Sequence, residues 1–134
     1  MKYKYNDGGR SKYFTAASVG DCVTRAVAIA TNKDYKEVYD SITKIVGYTP
    51  RNGVKHQDVK KVMKHFGGVW NARMRIGSGC TTHLCADELP INGHIICSLS
   101  KHVCAVVDGI LYDTYDCSRD GNRCVYGYWY FNVN

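Results

Sequence analysis

The residues with the most chemistry in this chain are a cysteine, a histidine and an aspartate that lie far apart along it. Cys22 follows Asp21 at the start of CVTRAVAIAT, an apolar-periodic run that predicts a helix over residues 22–31. A thiol in the first turn of a helix sits beside unpaired backbone N–H groups and the positive end of the helix dipole, and both favour the thiolate. The N–H of the same residue can face a developing oxyanion, and Arg25, one turn on, adds positive potential. A thiol nucleophile needs a base, and of the five histidines His102 suits the role best. It opens HVCAVV, a strand-like run that holds a ring rigidly at the end of a sheet. His56 and His65 read as helix-end or surface residues, and His83 and His94 fall near turns.

The third member comes from hairpin geometry. Asp108-Gly109, between two apolar runs, is a favoured two-residue turn. That turn pairs Val107 with Ile110, and continuing outward sets Cys104 opposite Asp113 and His102 opposite Tyr115. Because side chains alternate, these four share one face, and Asp113 is the diagonal neighbour of His102. A carboxylate there can accept the ring N–H, fix the tautomer and stabilise the imidazolium. Asp116 falls on the opposite face unless a bulge shifts the register, and ranks second.

Several elements must position these groups. Asp21 is expected to cap the first helix, and Asp34 with Glu37 forms a capping box for a second over residues 35–46, ended by Gly47. GYTPRNGV reads as an irregular loop, and a third helix spans residues 57–66. The pattern then becomes extended, with strands at 69–74, 94–99, 101–107 and 110–115, a short helix or turn at 82–89, and a Tyr- and Trp-rich final strand, CVYGYWYFN. Helices first and an antiparallel sheet second make an α+β domain over residues 1–134. Arg51 and Asn52, in the loop before the third helix, are candidate substrate contacts, since loops beside a scaffold carry recognition.

Composition limits what this domain does. The chain has 134 residues, 45% hydrophobic and 22% charged, which excludes disorder, collagen and coiled coil. MKYKYNDGGR offers no signal-peptide core, and no apolar window is long enough for a membrane helix, so a cytoplasmic protein without a membrane partner is expected. The net charge is +6, with clusters at Lys2, Lys4, Arg10 and Lys12 and at Lys55, Lys60, Lys61 and Lys64. No nucleic-acid motif accompanies them, so a solvated basic surface is the expectation. The seven cysteines are an odd number, and Cys97 and Cys104 sit in β-like runs, which predicts reduced thiols throughout. Cys80, His83, Cys85, Cys117 and Cys124 do not follow the tight paired spacing of zinc sites, so neither a metal nor any other cofactor is expected.

A helix-borne Cys, a strand-borne His and an Asp on the next strand follow the order of papain-like cysteine peptidases, the NlpC-type members included. GDCVTRAVAIAT and KHVCAVVDGILYDTYD carry that resemblance. It implies a papain-like fold, a nucleophile at Cys22, a base at His102, an orienting acid at Asp113, and a peptide or protein substrate cleaved at a peptide, isopeptide or side-chain amide bond. The family usually places a Gln shortly before the Cys to complete the oxyanion hole. Ala16 stands there instead, and Asn6, in YNDGG, is the substitute donor considered, with Asp21 as a further contact. The chain also resembles a group of small bacteriophage and prophage proteins through YNDGGR, GDCVTRA, TPRNGV, IGSGC, ADELP, VVDGILYDTYDCSR and RCVYGYW. That likeness implies a bacterial host protein as partner and brings no activity with it. A transglutaminase-like transferase and a catalytically silent binding domain are the alternatives to a hydrolase.

Overall fold

The computed structural model describes residues 1–15, 20–75 and 77–133. Three helices form where the apolar spacing requires them: α1 (Cys22–Thr31), α2 (Tyr35–Val46) and α3 (His56–His65). α1 buries most of its surface, through Val23, Ala26, Val27, Ala28 and Ala30. Asn32 ends it in the left-handed conformation at φ 56°, and the Asp34 carboxylate caps α2 by accepting from the N–H groups of Lys36 and Glu37. Asp21 stands at the N-cap position of α1 but makes no side-chain capping bond there, contrary to expectation.

Six strands follow the order β1-β5-β4-β3-β6-β2, with β1 at Lys2–Tyr5, β2 at Val69–Ala72, β3 at His94–Leu99, β4 at His102–Val107, β5 at Ile110–Asp113 and β6 at Gly127–Phe131. The β4–β5 hairpin has the register read from Asp108-Gly109: Val107 pairs with Ile110, Val106 with Leu111 and Ala105 with Tyr112. Asp108 at φ 49° and Gly109 at φ 78° supply the two left-handed residues that a tight hairpin turn needs. The fold is α+β, but the sheet is mixed rather than antiparallel. KYKY, to which no strand is assigned from sequence, forms β1 and pairs parallel with β5, Tyr5 beside Asp113. β6 is an interior strand, flanked by β3 and β2, rather than an edge.

Each face of the sheet is covered differently. Val103, Ala105, Ile96, Trp129 and Phe131 pack against Val27, Ile42, Val62 and Met63 of the helices. Cys104, Val106, Ile95, Cys97 and Leu111 point the other way and pack against Leu84, Leu89, Cys117 and Val125 from irregular segments. Those segments are stapled by a Cys80–Cys124 disulfide, which overturns the expectation of reduced thiols throughout. Both cysteines lie in polar stretches, where sequence pattern carries no sign of a partner. A bridge between His83 and Cys124, with Val125 N–H donating to Thr82 O at 2.9 Å, aligns the stretches and leaves the two Cα atoms 5.6 Å apart. Among the described residues no helix is long and apolar enough to cross a membrane.

Candidate active site

Cys22 and His102 meet at the rim of the sheet. α1 lies across β4, which brings its N-terminal tip to the start of that strand. Cys22 is partly exposed there, and the His102 ring and the Val103 N–H lie near enough to its sulfur to favour its thiolate. His102 Nε2 lies 2.7 Å from Asp113 Oδ2, the diagonal cross-strand contact expected from the hairpin. The Tyr115 ring stacks beside the imidazole, centroids 5.5 Å apart. The three residues singled out by type and spacing are therefore brought together.

Asp113 is held from every side. Its second oxygen accepts from Arg25 Nη2 at 3.2 Å and from the Thr114 N–H at 2.7 Å, and its carbonyl accepts from the Asn6 N–H at 2.9 Å. Arg25 in turn pairs with Asp21, which also accepts from Tyr35 Oη at 2.6 Å and lies 3.7 Å from Arg10 Nη1. All of Arg10, Asp21, Arg25 and Tyr35 are buried. Sequence reading gave Arg25 only a long-range electrostatic role and missed Tyr35 altogether. Arg10, counted there with a basic surface, is an interior residue. Four polar groups that meet from three chain segments leave no local pattern; the one available signal was Asp21 and Arg25 spaced i, i+4 on a helix that is otherwise apolar.

These contacts set the protonation states. Burial raises the Cys22 pKa, but the hydrogen bond and charge of His102, the Val103 N–H and Arg25 outweigh it and hold the thiol below its ordinary value. Burial lowers the His102 pKa, yet Asp113, Cys117 and Cys22 push it up to about 11. Asp113 is disfavoured by burial and kept below the usual carboxylate range by His102, Thr114 and Arg25. The contacts therefore favour the thiolate of Cys22 and the imidazolium of His102 over their neutral forms.

Asp21, turned toward Arg25 and Tyr35, leaves the helix tip uncapped. The first intrahelical bond is Arg25 N–H to Asp21 O, so the N–H groups of Cys22, Val23 and Thr24 have no acceptor within α1. These are the backbone donors an oxyanion at Cys22 would meet. Ala16, the position set against the Gln of papain-like peptidases in the sequence, lies outside the described residues.

An open cleft of about 920 Å³ exposes Cys22 and His102, lined on one side by Asn52, Val54 and Val59 and on the other by Ser98, Tyr126 and Trp129. That volume falls in the upper range for ligand sites. Asn52 is thus in the cleft, brought there by close packing of its backbone on Gly20, where an added Cβ would come within 3.1 Å of Asn52 O. Arg51 is exposed and does not line it. Asn6 does not supply an oxyanion donor: its Oδ1 closes a local turn on Gly8 N–H at 2.7 Å, and it is absent from the cleft wall. Asp21 is likewise no substrate contact, since it is fully buried. Asp116 caps its own turn by accepting from Ser118 N–H and Oγ, so Asp113 is the residue that holds His102.

A second sulfur, from Cys117, is buried and lies close to both the same imidazole and the free Cys104 thiol. Sequence reading considered Cys117 only in a zinc cluster with Cys80 and Cys124, which the disulfide consumes. Ligand atoms of His102, Asp113 and Cys117 lie within 4.8 Å of one another, the arrangement among the described residues closest to a metal site. A cation there would have to displace the His102–Asp113 bond and sit beside the Arg25 guanidinium, so the groups fit an acid–base device better than a ligand set. Comparison of the chain with protein-family models, with curated proteins and with solved structures finds no match.

Proposed function

We propose that the protein is a papain-like thiol hydrolase acting on an amide bond. The observation that carries this reading is a single imidazole bonded to a buried carboxylate and set beside a partly exposed helix-tip sulfur at an open cleft. The Cys22 thiolate attacks the acyl carbon, and the N–H groups at the tip of α1 stabilise the oxyanion. The imidazolium gives its proton to the leaving amine as the C–N bond breaks, leaving a thioester on Cys22. His102 then takes a proton from water, which attacks the thioester and releases the acid. An amine in place of water gives acyl transfer through the same intermediate. We place this activity in the cytoplasm, of a bacterial cell if the gene is phage-borne, where the Cys80–Cys124 bridge must persist against a reducing pool.

A library of N-acyl peptides carrying a C-terminal aminocoumarin amide tests the reading. The wild type is expected to release fluorophore and to show an acyl adduct on Cys22 by mass spectrometry, and Cys22→Ala to do neither. Equal release from both proteins, or none from a folded wild type, would favour a catalytically silent binding domain.

A further inference from the structure

The walls of the cleft are chemically one-sided. The chain has 12 acidic residues, yet among the described residues no Asp or Glu lines the cleft, while Arg10, Arg25, Lys60 and Lys101 all do. The two arginines are buried and directed at Asp21 and Asp113, so they belong to the internal network. Lys60 and Lys101 are different. Both are exposed, and among the described residues neither has a carboxylate partner. Lys60 comes from α3 and Lys101 from the β3–β4 turn, beside His102, so two separate elements each bring one exposed cation to the cleft. Walls of low polarisability concentrate such a field on whatever enters.

Apolar and aromatic side chains share the lining with neutral polar ones such as Asn52, Ser98 and Thr114. Trp70, 40% exposed on the edge strand β2, packs against Trp129 with ring centroids 4.5 Å apart, and Met74 lies in the same wall. Gly127 makes this possible: a Cβ there would lie 2.5 Å from the Trp70 ring, so only a glycine lets the indole lie flat on the sheet. An indole presented at a cleft wall, with its partner held beneath it, is a platform for an apolar or aromatic side chain.

We infer that the substrate segment is an acidic peptide in which carboxylate side chains flank an apolar or aromatic residue, the carboxylates facing Lys60 and Lys101 and the apolar side chain resting on Trp70, Met74 and Trp129. This rests on the thiol-hydrolase reading for its chemistry, but recognition is measurable without turnover. The test uses full-length Cys22→Ala protein and three fluorescent hexapeptides that share a central Phe and differ only in carrying Glu, Gln or Lys at the two flanking positions, read by anisotropy. The Glu peptide is expected to bind about tenfold more tightly than the Gln peptide at low salt, from two partly screened charge contacts. That margin should shrink as ionic strength rises toward about 0.5 M, and should fall to about twofold in a Lys60→Gln, Lys101→Gln double variant. Trp70→Ala should weaken all three peptides while leaving the Glu-over-Gln ratio in place. Equal binding of Glu and Gln peptides, a ratio that survives loss of both lysines, or tighter binding of a single-stranded oligonucleotide that displaces the Glu peptide would each overturn the inference. If the charge preference holds but the wild type cleaves no peptide, the hydrolase reading fails and this one stands.

Discussion

Two sulfurs lie beside the same imidazole and have opposite fates. Cys22 sits at a helix tip, partly exposed, with the Val103 N–H and Arg25 beside it, and its pKa is held down. Cys117 is 1% exposed, beside the Cys104 thiol within an apolar cluster, and that neighbour and its burial push its pKa far up despite His102. His102 is the strongest influence holding Cys22 down, yet proximity to a histidine is not sufficient, because at Cys117 the Cys104 thiol and burial outweigh it. At Cys22 the Val103 N–H and Arg25 add to the effect of His102, and of the two sulfurs only Cys22 opens on the cleft.

The largest test of that contrast is site-resolved alkylation. Cys22→Ala should remove the fast phase of iodoacetamide labelling, a fall of at least about 10²-fold in rate at pH 7. Cys117→Ala should leave it within a few-fold, as peptide mapping will show. Asp113→Asn should follow, because an amide can hold the ring in the wrong tautomer; turnover of any amide substrate should drop by about 10²–10⁴-fold, whereas Asp116→Asn should change it little. Arg25→Gln removes the cation shared by the buried carboxylates of Asp21 and Asp113, leaving them Arg10 and His102, and should cost stability in urea unfolding by up to about 3 kcal/mol.

The smallest effect expected is on the pH dependence of stability. Asp113 has a folded pKa below its ordinary 3.8, so its contribution is present above that value and lost as pH falls through the lower one. His102 has a folded pKa of about 11 against 6.5, so its contribution is complete below 6.5 and lost as pH rises through about 11. Urea midpoints should therefore decline at both extremes, and Asp113→Asn should flatten the acidic limb.

Much of the site was legible because its parts obey local rules. Asp108-Gly109 set a register that placed Asp113 diagonal to His102 before any contact was known, and the CVTRAVAIAT periodicity put Cys22 at a helix start. What escaped was whatever depends on segments meeting from afar. KYKY gives no sign that it will pair with β5 more than a hundred residues later, yet the Asn6 N–H that extends that pairing bonds the Asp113 carbonyl. Asp21 has the composition of a cap and becomes the anchor of a buried ion network, because Arg25 and Tyr35 outcompete the backbone for its oxygens. Cys80 and Cys124 belong to polar loops whose alignment exists only in three dimensions.

The most direct measurement of the central claim is the pH profile of Cys22 alkylation by iodoacetamide in the wild type and in His102→Ala. If Cys22 and His102 form a resting ion pair, the wild-type rate stays high well below a free thiol's pKa of about 8.5, and the variant's profile moves up toward that value. A wild-type profile that already follows a free thiol and is unchanged by loss of His102 would contradict it.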